Sequence, residues 1–315
     1  MILITGGMGF IGLHTAKRFL DAGEQVVITQ FSTRREPDFI KDEIGKRVFV
    51  ERVDVSSPHD MTDVVRRHKV DGIIHLAVPG LAALSAAEDY RVNMMGLINV
   101  LEAARVNDVK RVVYASSLTV YAGLKDGPFQ EDALLPVEST NPTETFKKAW
   151  EILGSHYGQR TGVEAISARI GGIFGPLYHT LANAPSRICL GAARGKPVDF
   201  SGSRAGNPHE DDLGNFCYVK DCALGLFLLQ TAPALKHRLY NISSGRGETY
   251  GQFVAAAKKA APDLQVELKP GSSPRNKPNG YLDISRAADE VGYKPEYSLE
   301  QATADYITWL RNNPL

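Results

Sequence analysis

The chain has 315 residues, which is enough to bury a sizeable core in one large domain or two coupled ones. Its 36 lysines and arginines balance its 36 aspartates and glutamates, so no overall field attracts it to nucleic acid or to an anionic membrane. With three cysteines, no CxxC pair, no basic leader and no apolar run of about 20 residues, we expect a soluble, cytoplasmic protein without a zinc site.

Short β-branched runs alternate with amphipathic stretches through the first half of the chain. The strand-like runs are ILIT, QVVIT, RVFVERVDV, GIIHLAV, RVVYASS and AISARI. This alternation predicts an α/β fold of the Rossmann type, a doubly wound parallel sheet with helices on both faces. We place this dinucleotide-binding domain at residues 1–175, with a late strand near 237–243 returning to it. Residues 176–315, rich in Pro and Gly connections, predict a smaller, loop-rich C-terminal substrate lobe interleaved with the first.

The segment ILITGGMGFIG follows the first strand with three spaced glycines, Gly6, Gly9 and Gly12. In this context the backbone can approach a pyrophosphate, and the N-terminus of the next helix supplies positive potential. We predict that this loop, with Phe10 and Ile11 inside it, binds a dinucleotide. The alternative is that the glycines only make a tight turn.

The end of the second strand, ITQFSTRRE, lacks the acidic residue that usually accepts a hydrogen bond from the ribose of NAD. Thr29 or Gln30 takes that position, depending on a one-residue choice of alignment. Thr33 and Arg34 follow, and an arginine can bind a phosphate with two hydrogen bonds. The segment therefore favours NADP over NAD, unless Arg34 and Arg35 are only solvated loop charges.

The ends of the third and fourth strands provide further candidate contacts. Asp54, followed by Val55, ends the third strand; it could accept from the adenine amino group or cap the turn into DMTDVV. His75 ends the fourth strand and is interpreted as a structural histidine rather than a catalyst. The backbone after it is expected to line the cofactor, at Leu76, Ala77 and Val78.

With these motifs in order, the chain resembles the extended short-chain dehydrogenases/reductases, the NAD(P)-dependent epimerase/dehydratase group. The matching segments include TGGMGFIG, DVSS, HLAV, RVVYASSLTVYAG, FKKAWE, ARIGGIFGP, YVKDCALG, YNISSG and LDISRAADEVGYKPEYSLEQA. The resemblance covers nearly the whole chain. It implies NADP or NAD as cofactor, a small-molecule substrate, and a homodimer formed through the helices around 93–107 and 143–161.

In that family a Ser or Thr, a Tyr and a Lys act together on the substrate. The resemblance implies that Ser117 donates to the substrate oxygen, that Thr119 is a second hydroxyl within reach, and that Lys147 holds the nicotinamide ribose. Thr143 stands four residues before Lys147, where the family carries its tyrosine. A phenol ionises near pKa 10, whereas an aliphatic hydroxyl ionises nearer the value for water, roughly 15.7. Thr143 therefore does not inherit the proton-transfer role, and the chain resembles an atypical member of the family that lacks the usual active-site tyrosine.

Helix architecture gives Thr143 another explanation. Asn141 can be the N-cap, Pro142 suits the first helical position, and Glu144 completes a capping box. Thr143 then lies in the first turn, on the same face as Lys147.

Other groups could carry the proton instead. Tyr178 follows IFGP, where the family lines its substrate pocket, and Tyr121 lies beside the Ser117 loop. Glu144 is a weaker candidate because one residue along a helix turns a side chain by about 100°. A substrate group or an ordered water is an equal alternative, with core or wall packing as the ordinary role of both tyrosines.

The substrate side shows a second departure from the family. Sugar-nucleotide members commonly carry an arginine four residues before the YVxD motif, where this chain has Gly214. Residues 209–212, HEDD, would repel a diphosphate. Arg187 or Arg275 could compensate, although both suit a solvated role. We therefore expect a smaller hydroxy, keto or sugar-like substrate, and no metal at HEDD.

Three functions fit the sequence. The preferred one is an atypical oxidoreductase or epimerase, in which Ser117, Thr119 and Lys147 orient the substrate and another group moves the proton. The second is a regulatory protein that senses NAD(P) without turning it over. The third is a lyase or isomerase, or a hydrolase, that reuses the pocket.

Overall fold

The computed structural model describes residues 1–31, 35, 37–78 and 84–313. The strands are β1 Ile2–Thr5, β2 Val26–Gln30, β3 Val48–Arg52, β4 Gly72–His75, β5 Arg111–Ser117, β6 Glu164–Ile170, β7 Gly172–Phe174, β8 Leu213–Gly214, β9 Phe216–Tyr218, β10 Leu239–Ile242 and β11 Glu248–Thr249. The helices are α1 Phe10–Asp21, α2 Asp38–Lys41, α3 Pro58–Arg67, α4 Ala86–Val106, α5 Pro142–Thr161, α6 Ala184–Arg194, α7 Val219–Thr231, α8 Tyr250–Ala260, α9 Ser285–Val291 and α10 Leu299–Asn312.

The main sheet of the described residues has seven parallel strands in the order β10-β6-β5-β4-β1-β2-β3. Every residue of β1 and β4 is buried, which explains why these strands read as continuous apolar runs. The strand order reverses between β1 and β4, so the loops that follow these two strands diverge and leave a crevice. The predicted doubly wound, Rossmann-type α/β fold is confirmed.

Each face of the sheet has its own apolar core. On one face α1 and α7 pack through residues such as Phe19 and Leu226. On the other face α3, α4 and α5 pack through residues such as Val64, Leu101 and Trp150. Burying a side chain of this size contributes roughly 1.5–3 kcal/mol, so both layers hold the strand ends, and the loops after them, in fixed positions.

A third core lies outside the main sheet, among α6, α8 and α10, and includes Ile188, Phe253 and Ile307. Two small sheets accompany it, β7 with β9 and β8 with β11. Capping boxes at Thr249 and Ser298 fix the starts of α8 and α10. The late strand β10 pairs with β6, so the chain returns to the first lobe after entering the second. Within the described ranges, no helix is both long and apolar enough to cross a bilayer.

Candidate active site

The loop after β1 passes so close to the loop after β4 that glycine is needed at Gly6. Its φ is +66°, and a Cβ there would lie 2.9 Å from the backbone nitrogen of Ala77. A Cβ on Gly12 would lie 2.5 Å from the carbonyl oxygen of Gly6. Because both clashes are with backbone, a side chain could not be accommodated by a rotamer change. The glycine spacing therefore closes a compact loop at the edge of the crevice.

The N-terminus of α1 points its free N–H groups out of this loop. Gly9 is the N-cap, so no side chain occupies the cap position, and the first turn contains no acidic residue. Phe10 and Ile11 form that turn, and both are partly buried against the core. An uncapped helix start keeps its partial positive charge available to an anion. The loop thus fits the pyrophosphate of a dinucleotide.

Thr29 and Gln30, the two alternatives for the ribose-contacting position, have different surroundings at the end of β2. The Thr29 hydroxyl accepts a hydrogen bond from the N–H of Gly6 at 3.0 Å, so it supports the glycine loop. Gln30 has a buried side-chain oxygen with no hydrogen-bond partner in the described part of the chain. A buried oxygen without a partner costs free energy, which a hydroxyl donor from a ligand would recover. Gln30 therefore suits the ribose position better than Thr29.

Two residues behind the prediction of NADP, Thr33 and Arg34, lie outside the described residues. Arg35 is described, and its guanidinium donates to the carbonyl oxygen of Met8 in the glycine loop at 3.4 Å. The solvated alternative is therefore wrong for Arg35, because its side chain is partly buried against the loop. A positive charge lies beside the dinucleotide crevice.

Asp54 caps a turn, as one of its two interpretations required. Its Oδ1 accepts from both the backbone N–H and the hydroxyl of Ser56, each at 2.8 Å. Val55 is buried, and its carbonyl accepts from the side chain of Asn99 at 3.0 Å, which ties the loop to α4. A contact between Asp54 and an adenine stays a prediction.

His75 at the end of β4 is held as a neutral structural residue. Its Nδ1 lies 2.7 Å from the Thr5 hydroxyl, and its ring stacks on Trp150 at 4.8 Å between centroids. Burial lowers the pKa of His75 to about 3. The same Thr5 hydroxyl accepts from the N–H groups of Leu76 and Ala77, at 3.2 and 3.4 Å.

These bonds fix the first two residues of the stretch that was expected to line the cofactor. The third, Val78, is half exposed and is the last described residue before the gap at 79–83. The backbone of Ala77 packs directly against the glycine loop at Gly6. It therefore forms a second wall of the crevice, next to that loop.

Ser117 and Thr119 lie together at the carboxyl end of β5. Ser117 caps the 3-10 turn Leu118–Tyr121, and its Oγ accepts from the N–H of Thr119 at 3.2 Å. The Thr119 hydroxyl is buried and has no hydrogen-bond partner among the described residues. A buried hydroxyl of this kind remains free to bond a substrate oxygen.

The start of α5 agrees with the predicted capping in one half only. The Asn141 side chain accepts from the N–H of Glu144 at 3.0 Å, and Pro142 occupies the first helical position. The Glu144 carboxylate, however, accepts from the N–H of Thr140 at 3.0 Å rather than from that of Asn141. The predicted second half of the capping box, a hydrogen bond from the N–H of Asn141 to the Glu144 carboxylate, is therefore wrong. The carboxylate accepts from Thr140 and from the ammonium of Lys148 instead.

Glu144 is also unsuitable as a proton carrier. It is buried, and it pairs with Lys148 at 2.8 Å. Burial pushes the pKa of Glu144 upward, but the hydrogen bonds from Lys148 and Thr140 outweigh it and bring the pKa below its usual value. The carboxylate therefore stays ionised and occupied.

Thr143 and Lys147 follow one another on the same face of α5. Thr143 is half buried, whereas the side chain of Lys147 is buried, with its Nζ 3.6 Å from the ring centroid of Trp150. Lys147 has no hydrogen bond and no ion pair within the described residues. Burial lowers the pKa of Lys147 to about 7, and the charge of Glu151 opposes this only in part.

The two tyrosines differ in their availability. Tyr121 is buried; its hydroxyl donates to Asn241 at 2.9 Å and accepts from Arg169 at 2.7 Å, and burial raises its pKa to about 12. The hypothesis that Tyr121 is the substitute proton carrier is therefore wrong. Tyr178 is half buried and packs on Phe10 of the glycine loop, 4.9 Å between ring centroids. It therefore lies beside the glycine loop.

Sequence reasoning missed the ion pair that anchors α5 to the sheet. The Glu151 carboxylate accepts from Arg169 at 2.9 and 2.7 Å and from the hydroxyl of Ser116 at 2.5 Å. All three residues are buried. This network fixes α5, which carries Lys147, against the strands β5 and β6. An arginine inside the apolar run AISARI was the available signal.

The substrate side has no arginine at the expected position and no space for one. A Cβ on Gly214 would overlap the ring of Phe216, which fills that volume. Glu210 and Asp212 accept from the backbone N–H groups of Gly271 and Ser273, at 3.2 and 2.7 Å. No group of side chains that could hold a metal occurs in the described ranges.

Arg187 and Arg275 were the two candidates to compensate for the arginine missing at Gly214, and they differ in their surroundings. Arg187 is committed to the fold, because its Nε donates to the carbonyl of Leu181 at 2.7 Å. Arg275 is exposed. Arg187 is thus held by the fold, and Arg275 has the exposure expected of a solvated charge.

Comparisons with known proteins agree with this geometry. The bifunctional UDP-glucose 4-epimerase and UDP-xylose 4-epimerase 1 of Pisum sativum is 26% identical over 344 residues, covering 99% of this chain and 96% of its own. The crystal structure of UDP-glucose 4-epimerase with UDP-glucose from Thermotoga maritima matches with a TM-score of 0.81 and 20% identity, covering 99% and 98% of the two chains. That of dTDP-glucose 4,6-dehydratase from Bacillus anthracis in complex with NAD also has a TM-score of 0.81, with 18% identity and coverage of 99% and 97%.

The family itself is identified by a family model. A model described as the NAD dependent epimerase/dehydratase family matches residues 2–243. Its description names NAD, and the dehydratase structure holds NAD; neither supports a preference for NADP. Because this match includes both walls of the crevice, both hydroxyls of the β5 edge and the lysine of α5, the chain belongs to the NAD dependent epimerase/dehydratase family of enzymes.

Proposed function

We propose that the protein interconverts an alcohol and a carbonyl on a small hydroxy, keto or sugar-like substrate, as an oxidoreductase or epimerase. The observation that carries this proposal is that two polar side chains of the matched motifs, Lys147 and Thr119, are left without a hydrogen-bond partner among the described residues. A bound nicotinamide dinucleotide would supply hydride transfer. The chain's own contribution is to hold that cofactor and the substrate carbon in register, which by itself lowers a barrier by several kcal/mol.

Different residues would contact the cofactor and the substrate. The glycine loop and the N-terminus of α1 would hold the pyrophosphate, while Gln30 would accept from the adenosine ribose. Lys147 would donate to the nicotinamide ribose. Ser117 and Thr119 would orient the substrate oxygen; the partnerless Thr119 hydroxyl supports this, since a bond to substrate would satisfy it.

The choice between NAD and NADP depends on the end of β2. Gln30 is neutral, so it does not repel a 2′-phosphate as a carboxylate would, and Arg35 lies beside the glycine loop. These two residues support acceptance of NADP, although the family is described by NAD. Affinities of wild type, Arg34→Ala and Arg35→Ala for NADH and NADPH test it by calorimetry. A loss of affinity confined to NADPH supports the proposal, and equal losses for both cofactors contradict it.

The proposed substrate is smaller than those named for the relatives, which are nucleotide sugars. Phe216 fills the space that an arginine at Gly214 would need, and Glu210 and Asp212 add negative charge near the same loops. Both features weaken binding of a diphosphate. Competition between UDP-glucose and a panel of sugar acids and small hydroxy acids, measured by protection against thermal unfolding, tests this choice. Tight binding of UDP-glucose would contradict it.

One experiment separates the three functions that fitted the sequence. Purified protein is titrated with NADH and NADPH, then incubated with the substrate panel while cofactor reduction and substrate products are followed separately. Redox turnover, or epimer formation without net redox change, supports the proposed enzyme. Cofactor binding without any product indicates a sensor, and product formation without cofactor indicates a lyase or isomerase.

We also propose a homodimer formed through α4 and α5. These helices expose apolar side chains on the outer surface, among them Tyr90, Met95, Ile98, Ile152 and Leu153. Ile152 is 71% exposed, and a charge there would stay unpaired inside an interface. Ile152→Glu should convert a dimer to a monomer in light scattering, whereas Leu134→Glu, at a loop position that is 92% exposed, should not. A wild-type monomer would contradict the proposal.

A cytoplasmic location remains an expectation.

A further inference from the structure

We propose that the Lys147 amine itself carries the proton that the family's phenol would carry, taking it directly from the substrate hydroxyl that Ser117 and Thr119 orient. This inference rests on the proposed function, because it assumes an alcohol or carbonyl substrate at the β5 edge. It assigns Lys147 a second role beside the ribose contact.

The first support is that Lys147 has no partner. The nearest carboxylate, Glu151, is saturated by Arg169 on two sides and by Ser116. The other carboxylate on this part of α5, Glu144, is paired with Lys148. Each negative charge near the amine is therefore already neutralised by another cation, and Lys147 is left without a countercharge.

The second support is the material around the amine. Trp150 lies under the Nζ at 3.6 Å, and the imidazole of His75 stacks on the same indole at 4.8 Å between centroids. Among the described residues, the titratable groups that interact electrostatically with Lys147 are Glu151 on α5 and His75 on β4. Glu151 is paired with Arg169 on β6, and Glu144 is paired with Lys148. Since the carboxylates are paired and His75 is neutral, burial decides the protonation state. It lowers the pKa of Lys147 to about 7, which suits a group that must both accept and return a proton near neutrality.

The third support is the space that Thr143 leaves. It stands one helical turn before Lys147, on the same face, and its side chain is half buried. The threonine side chain is shorter than a phenol, so this turn of α5 places a smaller group beside Lys147 than a tyrosine would be.

The step balances with a nicotinamide as hydride acceptor. In the oxidation direction the substrate O–H bond breaks and the proton goes to the amine, which becomes an ammonium. The C–H bond on the same carbon breaks with its electron pair, which leaves as hydride to the oxidised nicotinamide, and the C=O bond forms. In the reduction direction the ammonium returns the proton to the developing alkoxide. No further oxidant or reductant is needed.

The protonation state can be measured without cofactor or substrate. We would label lysines with ¹³C at Cε, follow their resonances by NMR from pH 5 to 11, and identify the Lys147 signal by its absence in Lys147→Met. A midpoint near pH 7, well below the usual lysine pKa of about 10.4, is expected. A Lys147 signal that stays in the ammonium form up to pH 10 would overturn the inference.

A conservative substitution then tests the chemistry. Lys147→Arg keeps a cation and hydrogen-bond donors for the ribose but cannot release a proton near neutral pH. We expect dinucleotide affinity within a few fold of wild type and a loss of kcat of about 100-fold or more. Lys148→Arg makes the same chemical change one residue along α5, outside the site, and should leave kcat unchanged.

The outcomes separate the two proposals. If wild type binds neither NADH nor NADPH, the proposed function fails, whatever the NMR titration gives. If wild type binds and turns over, and Lys147→Arg retains kcat within about tenfold, proton transfer by Lys147 is contradicted. Should Lys147→Arg fail to fold, the titration of the wild-type amine still decides the question. Thr143→Tyr adds a positive arm: a restored phenol should make kcat depend less on the amine.

Discussion

Replacing Lys147 with methionine should stabilise the cofactor-free protein at neutral pH. The amine is 8% exposed and unpaired, and burial takes its pKa from 10.5 to about 7. At 1.36 kcal/mol per pKa unit this shift corresponds to a penalty of up to about 5 kcal/mol for burying the amine. The contact with Trp150 returns roughly 1–2 kcal/mol of that, so we expect a gain of up to about 3–4 kcal/mol on removing the amine.

The difference in stability between Lys147→Met and wild type depends on pH. Between pH 7 and pH 10.5 the unfolded chain binds a proton at Lys147 that the folded chain does not, so wild-type stability falls as the pH falls through this window. Below pH 7 the penalty is constant. The advantage of Lys147→Met should therefore be largest at pH 7 and below and should vanish near pH 10.5.

Urea denaturation of wild type and variant at pH 6, 7, 9 and 10.5 measures this difference directly. Lys148→Met is the matched control, since it removes the neighbouring lysine but leaves the buried Glu144 carboxylate without its ion pair. It should destabilise the fold by about 3–5 kcal/mol at neutral pH. If Lys147→Met also destabilises, or if its difference from wild type does not change with pH, the assignment of a neutral, partnerless amine is refuted.

Three further outcomes follow from the contacts. Gly6→Ala should abolish dinucleotide binding in a calorimetric titration, because its Cβ meets the opposite wall; Gly23→Ala, also at positive φ but in open space, should keep full affinity and cost about 1 kcal/mol of stability. Glu151→Gln should cost about 3–5 kcal/mol in denaturation by leaving its buried guanidinium partner unpaired, whereas Glu102→Gln at an exposed pair should cost less than about 1 kcal/mol. Tyr178→Phe should leave kcat within a few fold, and a 100-fold loss would make that phenol the proton carrier instead.

The sequence alone determined the parts of this protein that are local in the chain. The alternation of strands and helices required a parallel sheet, and the glycines after the first strand required a close turn at a helix start. The prediction that the phenol is lost was equally local, because Thr143 and Lys147 are four residues apart on one helix. Each of these inferences needed only spacing, backbone geometry or the intrinsic acidity of a side chain.

Only the tertiary structure decided how those parts behave chemically. Arg169 and Glu151 are 18 residues apart in sequence, and their pairing, which leaves Lys147 without a countercharge, depends on α5 packing against β6. In the same way the oxygen of Gln30 and the hydroxyl of Thr119 are partnerless because of what surrounds them, while Tyr121 is lost as a candidate because Asn241 and Arg169 reach it from distant segments. Protonation and hydrogen bonding depend on burial and on neighbours brought together by the fold, and no local pattern in the chain contains that information.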